Sequence, residues 1–168
     1  MKFVLFRHAH KGFTPFEDPE LSPRGFQQAT KILELVRTNL LPAPTELFVS
    51  PRRRTSQTFY PLSRELQISF SVSDLLDQRK ENENLQQFRL RIAQFIEGFS
   101  DRTTLANKTV FVCTHYDWIE EAMSLINCDR NLNNFEFSHW APAQYLGLEL
   151  VAADTQLWSY KINGQVES

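Results

Sequence analysis

KFVLFRHAHKG, residues 2–12, carries four consecutive apolar residues, Phe3 to Phe6, straight into Arg7 and His8. A short apolar run without alternation, cut off by charged side chains, reads as a strand buried on both faces, as parallel strands of α/β proteins are. ELFVS (46–50) and TVFVCT (109–114) follow the same pattern, the second running into His115. Between these runs the apolar residues change period. Phe26, Ala29, Leu33, Val36 and Leu40 recur at helical steps, as do Leu85, Phe88, Ile92, Phe95, Ile96 and Phe99. Ser22-Pro23 and Ser50-Pro51 each read as an N-cap followed by the first helical residue, and Asn84 or Glu83 opens the third helix. A fourth helix is expected near 117–127, with Ile119, Ala122, Met123 and Ile126 on its apolar face, and a short strand near Ile68 to Val72. Gln144 to Leu150 and Gln156 to Ile162 form a closing strand pair around Ala153-Asp154. Strands alternating with helices predict a three-layer α/β/α sandwich with a mostly parallel central sheet, whose ligands bind outside the carboxyl ends of the strands.

The chain has 168 residues, enough for one domain over 1–168 with a core of its own. Its two cysteines, Cys113 and Cys128, have neither disulfide-framework nor zinc spacing, which points to reduced thiols and a cytoplasmic setting. MKFVLF is too short an apolar opening for a signal peptide, and no later run approaches a membrane span, so no membrane is expected. With 18 Lys plus Arg against 20 Asp plus Glu, the net charge of −2 gives no reason to expect nucleic acid as a partner. Attraction for an anion has to be local.

SPRRRTSQT (50–58) supplies one place for it. Arg52, Arg53 and Arg54 fall in the first turn of a helix, where the positive dipole end disfavours cations. Arg52 and Arg53 are expected to splay into water. Arg54 is expected to meet a phosphate, because its planar fork and the helix N-terminus both attract one. His8 and His115 each end a strand and add a nucleophilic or basic imidazole, and Arg7 adds another permanent charge at the same sheet edge.

Taken in order, Arg7-His8, then Leu21-Ser22-x-x-Gly25-x-x-Gln28-Ala29, then Ser50-Pro51-x-x-Arg54-x-x-Gln57-Thr58, then Thr114-His115 resemble the histidine phosphatase superfamily, also called phosphoglycerate mutase-like. In size the chain resembles the small SixA-type branch of phosphohistidine phosphatases. The resemblance implies a metal-independent, cofactor-free hydrolase. His8 would attack phosphorus and form a phosphohistidine that water hydrolyses, with Arg7, Arg54 and His115 stabilising the phosphoryl oxygens and Ser50 counted among the substrate-binding residues. The substrate would be a phosphorylated protein or a small phosphorylated metabolite. The family usually places a glutamate, as general acid, after the strand that follows the SPxxR helix. Here LLDQRKENENLQQF (75–88) puts no glutamate in register. Asp77 is the first candidate acid, Glu81 the second, Glu83 a third, and Gln78 would be a noncatalytic substitute under a one-residue shift. Tyr116, where a small residue is common, narrows the pocket or supplies a hydroxyl.

Other residues keep two readings. His10 and Lys11 either touch substrate or sit solvated at the rim, and Gly25 either reflects close packing near the loop, the favoured reading, or is merely tolerated. Trp140, His139, Phe13 and Phe16 either border the pocket or anchor loops and core. Two other functions compete: a phosphate-binding module on the same fold, and a metallohydrolase using His8, His10 and His115 as ligands. The second leaves SPxxRxxQT without a purpose.

Overall fold

The computed structural model describes residues 1–99 and 107–167. Six strands form one sheet in the order β3-β2-β4-β1-β5-β6: β1 (Lys2–Arg7), β2 (Glu46–Val49), β3 (Phe70–Val72), β4 (Thr109–Thr114), β5 (Gln144–Ala152) and β6 (Leu157–Gln165). The first four are mutually parallel, β5 runs antiparallel to β1, and β6 antiparallel to β5. α1 (Pro23–Arg37) and α2 (Arg53–Leu66) pack together on one face, and α3 (Leu85–Glu97) and α4 (Tyr116–Leu125) on the other. This is the expected three-layer architecture.

The side-chain alternation of the central strands divides the core in two. Phe3 and Leu5 of β1, with Val110 and Val112 of β4, face α3 and α4, while Val4, Phe6, Phe111 and Cys113 face α1 and α2. Both faces are apolar because both are covered, which explains the unbroken runs in the sequence. No helix among the described residues is long and apolar enough to cross a membrane.

Ser22 caps α1 by accepting the Gly25 N–H, and Asn84 caps α3 in a reciprocal capping box with Gln87. Ser50 does not cap α2. That helix starts at Arg53 with Arg52 as its cap residue, because the Ser50 hydroxyl is engaged by His115 and by the Arg52 N–H. The α1 stripe also differs from its expected form. Ile32 is fully buried, whereas Phe26 and Leu40 are exposed, Leu40 lying beyond the helix end at Arg37.

Gly25 is required by a close approach. A Cβ there would stand 2.0 Å from the His10 carbonyl oxygen, a backbone atom that cannot swing away. The intrinsic helix preference for alanine, about 1 kcal/mol, is therefore outweighed by the clash. Gly25→Ala is expected to destabilise the protein by about 2 kcal/mol or more, lowering the thermal midpoint by roughly 4–8 °C. An unchanged or higher melting temperature would show that the His10 backbone is free to give way.

Candidate active site

The carboxyl ends of β1 and β4 are neighbours in register, with Arg7 opposite Thr114, and this juxtaposition brings His8 beside His115. Their ring centroids are 5.4 Å apart. The Nδ1 of His8 lies 2.8 Å from the carbonyl oxygen of Ala9. A carbonyl only accepts, so Nδ1 carries the proton and Nε2 keeps its lone pair. His115 is oriented from both sides: Arg54 Nη2 is 3.1 Å from Nδ1, and Ser50 Oγ is 2.8 Å from Nε2. A guanidinium only donates, so in this arrangement His115 carries its proton on Nε2 and gives it to Ser50.

Both imidazoles are buried and their pKa values are lowered. Burial lowers that of His8 to about 3, and Arg54, Arg7 and Lys11 contribute by repulsion, partly opposed by the Ala9 carbonyl. His115 is held well below its ordinary value by burial, by His8, and by Arg54 and Arg52. The Asp77 carboxylate, 3.8 Å from Nε2, would favour a charged ring, but it is outweighed by burial and the surrounding positive charges. Both histidines are therefore neutral bases at neutral pH.

Arg7 and Arg54 supply the fixed charge. Arg7 lies over the Tyr116 ring, 5.3 Å from its centroid, and donates to the Trp140 carbonyl. Arg54, only 4% exposed, donates to Gln78 Oε1 at 2.7 Å and reaches Asp18 at 3.5 Å. In each arginine the buried Nε–H has no partner among the described residues. Paired donors of this kind, at the head of α2 and beside a neutral imidazole, fit a dianionic tetrahedral group.

The other expected residues divide. Arg53 is exposed and pairs with Glu20, as a solvated side chain would. Arg52 instead makes a two-point pair with Asp77, at 2.9 and 3.2 Å. Asp77 is thus buried behind the site, while Gln78, one residue on, holds Arg54. Glu83 is paired with Arg91, and Glu81 is exposed in the adjoining turn. His10 turns toward the head of α1, its Nδ1 2.8 Å from Ser22 Oγ. Lys11 is exposed, yet close enough to help lower the pKa of both His8 and His115. Among the described residues no group of three or more His, Cys, Asp or Glu is arranged to hold a metal ion. Trp140 belongs to the core, with only its carbonyl reaching the site, and His139 is exposed. The Tyr116 hydroxyl donates to Ser138.

Sequence reading missed Arg91. Its guanidinium donates to the carbonyls of Asp74, Leu75, Asp77 and Gln78 and pairs with Glu83. It thereby fixes the turn that presents Gln78. The missed signal is an arginine on the otherwise apolar side of α3.

Residues 4–80 match the family model of the histidine phosphatase superfamily (branch 1). Among curated proteins none matches by sequence. Solved structures with the same fold include the protein histidine phosphatase SixA complexed with tungstate, at 12% identity and TM-score 0.74, with 98% of this chain and 97% of that one covered. A phosphoserine phosphatase from Entamoeba histolytica, in complex with phosphoserine, aligns at 13% identity and TM-score 0.69, covering 99% and 96%. A mycobacterial glucosyl-3-phosphoglycerate phosphatase aligns at 14% identity and TM-score 0.68, covering 99% of each chain.

The neutral His8 has a consequence for acid stability. Below about pH 6.5 the unfolded chain binds a proton at this residue that the folded protein refuses until about pH 3. The unfolded state holds more protons there, so stability falls as pH falls through this window, by up to about 1.4 kcal/mol per pH unit for this one group. Urea titrations at pH 7, 6, 5 and 4 are expected to show a shallower decline for His8→Asn than for wild type. Parallel declines would place the proton on folded His8.

Proposed function

From a histidine phosphatase superfamily match over residues 4–80, carried on a fold shared with solved phosphatases along the whole chain, we propose that this protein is a metal-independent phosphatase. It works through a phosphohistidine on His8, and its preferred substrate is phosphohistidine on a protein. The observation that carries the reading is the neutral His8, Nε2 unprotonated, beside two buried arginines that each retain an unpartnered N–H.

The chemistry follows from these atoms. Nε2 of His8 forms a bond to phosphorus as the bond to the leaving group breaks, and Arg7 and Arg54 hold the equatorial oxygens. Water then attacks phosphorus, the P–N bond breaks, and inorganic phosphate leaves with His8 neutral again. His115, with Nδ1 accepting from Arg54 and its Nε2–H given to Ser50, holds the Arg54 guanidinium in place for the phosphoryl oxygens. One domain suffices for all these parts, and two free cysteines suit a cytoplasmic setting.

The leaving group decides the substrate class. An alkoxide needs a proton as it departs, and a positioned acid is worth about 10²–10⁴-fold in rate. At Arg54 the neighbouring side chain is the Gln78 amide, which has no acidic proton to give, while Asp77 is buried on Arg52. An imidazole leaving group takes its proton from water on the distal nitrogen, so phosphohistidine can dispense with such an acid. The likeness in fold to SixA, a protein histidine phosphatase, agrees with this reading.

Two experiments test the proposal. His8→Ala is expected to abolish turnover with the fold intact, and quenching wild type in mid-turnover should trap base-stable, acid-labile phosphate on His8. Phosphate on serine or cysteine, or activity lost to EDTA and restored by zinc, would sink the mechanism. In the second, Gln78→Glu is expected to raise kcat/KM for alkyl phosphates about tenfold or more without raising that for phosphoramidates. Asp77→Asn should lower both alike, since Asp77 acts through Arg52. A selective loss of alkyl phosphate turnover in Asp77→Asn would return the acid role to Asp77.

A further inference from the structure

Among the described residues, the three most exposed large apolar side chains are Phe13, Phe16 and Phe135, with 88%, 93% and 93% of their surface in water. Their locations are not scattered. Phe13 and Phe16 stand on the loop between β1 and α1, the loop whose Asp18 contacts Arg54. Phe135 stands on the segment between α4 and β5, whose Trp140 carbonyl receives Arg7 and whose Ser138 carbonyl receives Tyr116. Each site arginine is thus held by a loop that also displays an unburied phenyl ring.

The first loop is not a free strap waiting to fold its rings inward. Gly12 donates to the Glu20 carbonyl at 2.7 Å, Ser22 to the His10 carbonyl at 2.9 Å, and Leu21 to Gln57 Oε1 at 2.8 Å. Asp18 also accepts the Arg53 N–H. With its base pinned on both sides and prolines at 15 and 19, the loop keeps residues 13–17 in solvent. A phosphoryl group would be held at Arg7, His8 and Arg54, whereas rings with about nine tenths of their surface in water pack against no part of the protein. What can cover them is a surface that extends beyond the phosphoryl group, and aromatic side chains are the usual anchors of such contacts.

We propose that Phe13 and Phe16, supported by Phe135 on the second loop, form the docking surface for the protein that carries the phosphoryl group, contacting an apolar patch beside the phosphorylated side chain. The reading rests on the proposed phosphatase activity at His8 and names the part of the molecule that selects a protein over a small phosphoramidate. The positively charged site supplies the orientation. The phosphoryl group enters between the arginines while the apolar neighbours of the phosphorylated residue meet the rings.

The test compares two substrates on wild type, the double variant Phe13→Ser with Phe16→Ser, and Phe135→Ser. One substrate is a histidine-phosphorylated carrier protein, the other free phosphohistidine. Melting temperatures should match wild type, since the rings contribute nothing to the core. The expected result is a loss of kcat/KM of about tenfold or more on the phosphoprotein for the double variant, a smaller loss for Phe135→Ser, and a change of less than about twofold on free phosphohistidine. Equal losses on both substrates would make the loop a wall or lid of the pocket and overturn the proposal. No loss on either overturns it too. So does binding of wild type to lipid vesicles that the double variant loses while its phosphoprotein turnover is unchanged. Failure of wild type to form phospho-His8 from free phosphohistidine would instead refute the activity itself, which keeps the two failures apart.

Discussion

Burying positive charge at one sheet edge is the constraint on which the rest of this molecule depends. Arg54 is almost wholly withdrawn from water and Arg7 partly so, and removing an ion from water costs several kcal/mol unless partners compensate. The compensation within the protein is partial. Arg54 has Asp18, Gln78 and His115, Arg7 has one carbonyl and one aromatic face, and both Nε–H groups are unpartnered among the described residues. Burial is the main reason that His8 and His115 stay neutral, and the neighbouring arginine charge adds to it. On the proposed reading, the nucleophile and the anion clamp share one buried pocket.

Holding such an arrangement requires a backbone that cannot relax away from it, and much of the recognisable sequence serves that purpose. Thr58 accepts the Ala9 N–H, Gln28 accepts the His10 N–H, and Gln57 accepts the Leu21 N–H. Gly25 lets α1 press against the His10 carbonyl. Gln28, Gln57 and Thr58 therefore tie the loop after β1 to α1 and α2, and the proposed chemistry falls to Arg7, His8, Arg54 and His115. On the far side Arg91 and the Trp118 indole fix the turn after β3 through its carbonyls. Distances at the site are set by these bonds, since a preorganised clamp gains little if its supports yield.

Asp77 and Gln78 are adjacent in sequence but face different partners. The Arg52 guanidinium draws Asp77 into a two-point pair, and the next side chain falls to Arg54. A carboxylate at the second position would add negative charge beside a bound dianion and would be pushed toward its protonated form, which is how a general acid is made. An amide there adds neither charge nor an acidic proton. Under the proposed mechanism, the choice between esters and phosphoramidates depends on one residue and on which of two arginines it reaches.

The layers and the charged strand ends are legible in the sequence. Unbroken apolar runs over 3–6 and 110–113 have to be covered on both faces, and each gives way to polar residues, so the positions of Arg7, His8 and His115 are legible from one dimension. The same holds for Arg54, whose place in the first turn of α2 follows from helix geometry alone. Tertiary structure alone decided what depends on meeting a distant segment. Whether Ser50 caps a helix or steadies His115 turns on β4 lying beside β2, and Arg52 reads as a solvated side chain in sequence because its partner is 25 residues away. The identity of the residue facing Arg54 shifts with a one-residue change in a short turn, and no local propensity fixes that register. Arg91 fixes it, through carbonyls whose identity its place on the apolar side of α3 does not reveal. Periodicity is a property of neighbouring residues, whereas the partner of a buried charge is set by where the chain returns in space.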